Sequence, residues 1–102
     1  MHLNAVFHAL SDPIRRDILR RVARREMTVG QLAALYSVSL AAVSKHLKVL
    51  EKARLIRKRK EGRSYFVSLE PKTLKLADAY LERYRRIWQS RYEKLDSLLA
   101  NE

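Results

Sequence analysis

The side chains in this sequence that offer chemistry are mostly cations, and they are clustered. Lys45, His46 and Lys48 sit within four positions, preceded by Ser39, Leu40, Ala42 and Ser44, and Arg57, Lys58, Arg59, Lys60 and Arg63 fall within seven residues that end two positions before Tyr65. Ammonium and guanidinium groups neutralise phosphates and donate to base edges; short hydroxyl and methyl side chains fit close to bases, the methyls against thymine. That is the chemistry of recognising a polyanion, not of making or breaking bonds. Residues 37–66 hold nine Lys+Arg against two acids, so most of the net +11 is concentrated in the middle third of the 102 residues. Such a charge on a short chain predicts nucleic acid as the first partner and an anionic membrane surface as the second.

Other chemistry is poorly provided for. The absence of cysteine excludes a disulfide scaffold, a Cys-based zinc site, an iron–sulfur cluster and a thiol switch. His2, His8 and His46 do not form a ligand set on one helix, so no metal and no other cofactor is expected. With two glycines there is no phosphate-cradling loop, and neither a Ser/His/Asp arrangement nor a convergent acid pair is present, which argues against an enzyme. No apolar run approaches the roughly 18 residues of a membrane span, and the first residues lack a signal-like apolar stretch; a soluble cytoplasmic protein without a membrane partner is expected.

The elements that must position the cations follow from periodicity and capping. Leu3, Val6, Phe7 and Leu10 space a short amphipathic helix. Ser11-Asp12-Pro13 reads as the start of a second helix, reaching about Arg25, with Ile14, Ile18, Leu19, Val22 and Ala23 on its apolar stripe and Arg15, Arg16, Arg20, Arg21, Arg24 and Arg25 on the other face. Thr28 and Gln31 form a capping box opening a third helix built on Val29, Leu32, Ala33 and Leu35. After Ser37-Val38-Ser39, with Ser39 as cap, a fourth helix runs through Ala53 and buries Val43, Leu47 and Leu50. Two short helices joined by a tight turn make a helix-turn-helix, residues 28–53, whose second helix enters the major groove. Two β-prone runs follow over 55–69 around Glu61-Gly62, with Tyr65, Val67 and Leu69 alternating against Ser64, Phe66 and Ser68. A helix-turn-helix followed at once by a basic hairpin is a winged helix: mainly α, about five helices and a two-stranded wing in a single domain spanning 1–102.

The last element predicts a partner. Residues 71–100 read as one helix with Ala77, Leu81, Tyr84, Trp88, Leu95 and Leu98 at heptad-like spacing, interrupted by Arg91 and flanked by Tyr80, Ile87 and Tyr92. Thirty residues make about 45 Å of helix, against a radius of gyration near 13 Å for a domain of this size. The domain cannot cover such a helix, so a second copy is expected to. A two-fold dimer reads an inverted repeat, its half-sites about one helical turn apart or a multiple of it.

Three segments carry a family resemblance. Ser11-Asp12-Pro13-Ile14-Arg15-Arg16-Asp17-Ile18-Leu19, Thr28-Val29-Gly30-Gln31-Leu32-Ala33 and Val43-Ser44-Lys45-His46-Leu47-Lys48-Val49-Leu50 resemble the ArsR/SmtB-type winged-helix repressors, and the likeness extends over about residues 4–100. It implies a homodimeric DNA-binding regulator whose first helix (1–10) and last helix (71–100) pair the subunits, with Leu3, Val6 and Phe7 joining the seam. Trp88 and Leu95-Asp96-Ser97-Leu98-Leu99 resemble the metal-free branch of that family. The family's sensors place ligands as cysteines in the third helix or as acidic and histidine residues in the last, whereas here the last helix offers Asp78, Glu82 and Glu93 without histidine. Two departures matter. Leu40, Ala41 and Ala42 stand where the family uses Gln or Pro, and Ala53-Arg54-Leu55 replaces Ala-Gly-Leu, which places an arginine where a left-handed residue is favoured. The expected function is a sequence-specific repressor without metal sensing. An architectural nucleic-acid binder and a protein-docking winged helix are the alternatives, and the residues define no effector.

Overall fold

The computed structural model describes residues 2–100; Met1, Asn101 and Glu102, which belong to the expected 1–102 domain, lie outside the described residues. The chain order is α1 (Leu3–Leu10), α2 (Pro13–Arg24), β1 (Met27–Thr28), α3 (Val29–Ala33), α4 (Leu40–Lys52), β2 (Ile56–Glu61), β3 (Ser64–Leu69) and α5 (Pro71–Ala100). The starts of α2, α3 and α4 each have a local cause. Asp12 Oδ1 accepts from the amides of Ile14 (2.8 Å) and Arg15 (3.1 Å), with Pro13 at the first helical position. Thr28 and Gln31 close a reciprocal capping box at 3.1 and 2.9 Å. Ser39 Oγ accepts from the Ala42 amide at 3.1 Å.

The core is continuous beneath the helix-turn-helix and the sheet. Ile18 from α2, Leu32 from α3, Val43, Leu47 and Leu50 from α4, Leu55 at the wing root and Val67 from β3 are fully buried. The end of α4 is set by Arg54, which adopts φ 59°. The Arg54 amide donates to Glu51 O (2.9 Å) and the Leu55 amide to Leu50 O (3.0 Å), while Leu50 and Leu55 are buried together. This is a Schellman ending with arginine at the position glycine favours.

Several expectations are corrected. The sheet has three strands in the order β1-β3-β2, not two: after an extended Arg25, Met27 pairs with Val67 and Thr28 with Phe66. Two residues are too few to show a period, so β1 left no pattern in the sequence. The hairpin turns on Gly62-Arg63, one residue later than expected, because Glu61 pairs with Ser64 and Gly62 takes φ 62°. A single positive φ at the first central position is the type II′ arrangement. Ala23 is exposed, and Leu35 lies beyond α3 and is also exposed. Arg15 leaves the polar face and is buried.

Two expected seam residues belong to the interior instead: Val6 is 1% and Ala77 4% exposed, both packed in the core that α1 and the root of α5 share with α4 and the wing. Beyond that root α5 leaves the domain. The molecule measures 66 × 27 × 23 Å with a radius of gyration of 18.3 Å, well above the roughly 13 Å of a compact domain of this length. Among the described residues no helix is long and apolar enough to cross a membrane.

Candidate nucleic-acid interface

With Val43, Leu47 and Leu50 turned inward, α4 presents Leu40, Ala41, Lys45 and Lys48 outward, with Ser39 exposed at its cap. Ala42 and Ser44 are half-buried along the edges of this face. Leu40 at its tip is 61% exposed, an apolar contact of the kind a thymine methyl accepts.

His46 is oriented differently from the expectation that it faces the groove. Its side chain is only 18% exposed and turned toward α2, with Nδ1 3.1 Å from Arg15 Nη1 and 3.9 Å from Asp12 Oδ1. Arg15 continues the link, its Nε donating to Ala9 O (2.8 Å) and its Nη2 to His8 O (2.9 Å). One buried guanidinium therefore ties the last carbonyls of α1 to the middle of α4. Because guanidinium only donates, the bond requires Nδ1 to accept, which places the imidazole proton on Nε2. His46 positions the helix that bears Lys45 and Lys48.

A second tie holds the turn of the helix-turn-helix. The Tyr36 hydroxyl donates to Asp17 Oδ2 at 2.6 Å, and Arg21 Nε approaches the same oxygen at 2.8 Å while Arg20 pairs with Oδ1. These three donors hold the Asp17 carboxyl well below the usual carboxylate range. Burial and the adjacent carboxylate push the Tyr36 phenol up to about 12. The Asp17/Arg21 spacing was legible in the sequence as an (i, i+4) pair. Tyr36 was not, since nothing in the periodicity relates a turn residue to one nineteen positions earlier.

The wing carries its cations on two faces. Paired residues share a face, so Lys58 and Lys60 lie with Val67 and Tyr65, while Arg57 and Arg59 lie with Ser68 and Phe66. Arg57 pairs with Glu70, and Arg59 pairs with both Glu61 and Glu26, the latter at 2.6 Å, with its guanidinium 4.8 Å from the Phe66 ring. Lys60 stands 5.8 Å over Tyr65, and Arg63 is exposed in the turn. Of the expected contacts, Lys60, Arg63 and Tyr65 are presented freely at the tip. Arg57 and Arg59 are engaged with carboxylates through exposed pairs, which are weak enough to exchange for phosphate.

The seam residues outside the core lie open. Leu81, Tyr84, Ile87, Trp88, Leu95 and Leu98 are between 45% and 59% exposed, Phe7 is exposed, and Leu3 and Tyr80 are half-buried. The Tyr80 and Tyr84 rings meet at a tilt of 56°, centroids 5.2 Å and hydroxyls 3.0 Å apart, and Arg91, which interrupts the seam, lays its guanidinium 5.4 Å over Trp88.

A recognition helix set by caps and buried struts, followed by a basic hairpin, defines a winged-helix DNA-binding protein. Comparison with known proteins gives the family. A helix-turn-helix domain family matches residues 10–59. The chain is 36% identical over 72 residues to the transcriptional repressor SdpR of Bacillus subtilis, covering 71% of this chain and 80% of that protein. It is 41% identical over 78 residues to the HTH-type transcriptional regulator Rv2034 of Mycobacterium tuberculosis, covering 76% and 73%. A crystal structure of an ArsR family transcriptional regulator superposes with a TM-score of 0.81 at 35% identity, covering 86% of this chain and 91% of the other. An ArsR-like regulator from Rhodococcus sp. RHA1 also gives 0.81, at 30% identity over 98% and 92%. The chain belongs to the ArsR-type winged helix-turn-helix regulators: it is a DNA-binding transcription regulator and not an enzyme.

Proposed function

We propose that the chain acts as a homodimeric repressor that binds an inverted-repeat operator in the cytoplasm and is not governed by a transition metal. The observation that carries this reading is the α5 seam: six large apolar residues, each about half exposed, on a helix that leaves its own domain. A second α5 with the α1 residues Leu3 and Phe7 would bury them and set two recognition helices about a two-fold axis. Ser39, Leu40, Ala42, Ser44, Lys45 and Lys48 then meet the major groove, and Lys60, Arg63 and Tyr65, with Arg57 and Arg59 on exchange of their carboxylates, meet the flanking backbone. SdpR, a relative of this chain, is named a repressor. The metal-free reading is supported by a cysteine-free chain and an α5 without histidine.

Sedimentation at micromolar concentration, combined with selection of a preferred duplex from a random pool, tests the scheme. The expected result is a dimer that selects a palindrome and holds it against random competitor, with zinc, nickel or copper binding neither tightly nor in a way that changes operator affinity. A monomer that protects a palindrome at full affinity overturns the dimer, and a tight metal coupled to release overturns the metal-free reading. Loss of discrimination against competitor favours an architectural binder; affinity without salt dependence favours protein docking.

A further inference from the structure

The sequence places most of the net positive charge between residues 37 and 66, but the wing's two paired arginines already face three carboxylates. The α2 segment is different. Residues 12–25 hold six arginines against two aspartates. Arg15 is committed to the α1–α4 strut, and Arg20 and Arg21 share Asp17. Arg16 donates to the neutral Leu10 carbonyl, and Arg24 and Arg25 are exposed without a carboxylate in ion-pair range among the described residues. Arg20, Arg21, Arg24 and Arg25 line a groove of about 290 Å³ with Met27 and Leu35.

We infer that this arginine groove is a further DNA-backbone contact, taking phosphates of the duplex beside α3 in addition to those met by α4 and the wing. The inference rests on the DNA-binding reading above and adds a surface to it. Its place in the fold supports it. Only the short β1 strand separates Arg25 and Glu26 from α3, and Leu35, also in the lining, belongs to the turn leading into α4. The first helix of a helix-turn-helix crosses the DNA backbone, so the groove borders the element that approaches phosphates. Arg20 and Arg24 stand one turn apart, roughly 6 Å along the axis, presenting a row of forked donors to a repeating anion. Charge complementarity thus favours a polyphosphate. An acidic peptide would need apolar anchorage, and the lining supplies only buried Met27 and the single exposed side chain of Leu35.

The test uses the full chain, a mixed-sequence duplex and the duplex that wild type selects from a random pool. Anisotropy titrations across a salt series compare wild type with Arg24→Gln/Arg25→Gln and Arg24→Lys/Arg25→Lys. The expected result for the glutamine pair is a log-affinity versus log-salt slope shallower by about two per bound protomer, about 3.6 for a dimer, since each phosphate contact contributes about 0.9. Affinity should fall by the same factor on both duplexes, and the lysine pair should restore the slope. An unchanged slope in the glutamine pair overturns the inference, and is the result expected if the groove instead serves an acidic protein. A wild type that selects no sequence overturns specific recognition, while the slope on mixed-sequence DNA still decides the groove. Both residues are exposed, so equal thermal midpoints for the three proteins confirm that the slopes compare folded chains.

Discussion

The two ends of the molecule use the same residue types to opposite effect. In the winged domain, Leu47 and Leu50 at helical spacing are fully buried by their own chain, whereas in α5 Leu81, Leu95 and Leu98 at equivalent spacing remain about half exposed. Spacing alone does not separate them. What differs is the surroundings: α4 crosses α1, α2, α3 and the wing root, but α5 beyond Ala77 has only water or another molecule beside it. The domain's leucines therefore contribute to intramolecular stability, and those of the long helix contribute in proportion to whatever covers them.

The largest expected effect separates these two roles. Trp88→Glu with Leu95→Glu places like charges across the seam and should give monomers by sedimentation, with operator affinity reduced by 10³-fold or more toward the non-specific level. The winged domain should retain its cooperative melt. Leu47→Ala should cost about 2–5 kcal/mol at any protein concentration, because it opens a cavity in an intramolecular core. A concentration-dependent loss in Leu47→Ala, or an unchanged dimer in the seam variant, would break the comparison between the two ends.

Within the recognition helix, Lys45 and His46 sharpen it further. Lys45→Ala should weaken operator binding by roughly 1–3 kcal/mol if it reaches a base edge, with the thermal midpoint unchanged. His46→Ala should lower the midpoint as well, since it removes the acceptor from the buried Arg15 and leaves that group short of one partner. Equal midpoints for the two variants would show that the strut between α1 and α4 is idle.

Arg54→Gly should raise stability by about 1 kcal/mol, read from urea midpoints, because glycine takes the left-handed conformation of that position without the Cβ penalty. Any loss of DNA affinity in the same variant measures what the Arg54 cation contributes.

The smallest effect concerns the turn. The Tyr36 phenol, pushed up to about 12, stabilises the fold below its ordinary pKa near 10, and that contribution is lost as pH rises from 10 toward 12. Asp17 behaves oppositely: held below the usual carboxylate range, it contributes above about pH 4 and is lost as pH falls below that. Tyr36→Phe should cost about 1 kcal/mol at neutral pH and flatten the alkaline decline of the midpoint. An alkaline limb as steep as that of wild type would remove the Tyr36–Asp17 bond from the account.

The helices and their caps are legible in the sequence, because they depend on residues within four positions of one another: Asp12 with Ile14 and Arg15, Thr28 with Gln31, Ser39 with Ala42. The sequence leaves the backbone conformation of Arg54 open, and the structure settles it at φ 59°. Where each charge is used depends on the folded chain. Arg15 and Arg16 are adjacent and identical, yet one is a buried strut to His46 and the other is on the surface. Arg59, by sequence one of the wing's phosphate-binding cations, pairs with Glu26, thirty-three positions away. β1 exists because β3 offers it a ladder, and Val6 and Ala77 belong to the core because α1 packs on α4 and α2 and the root of α5 joins the same buried cluster. Coulomb and packing energies depend on separation in space, and the chain brings together groups whose distance along the sequence carries no periodic signal.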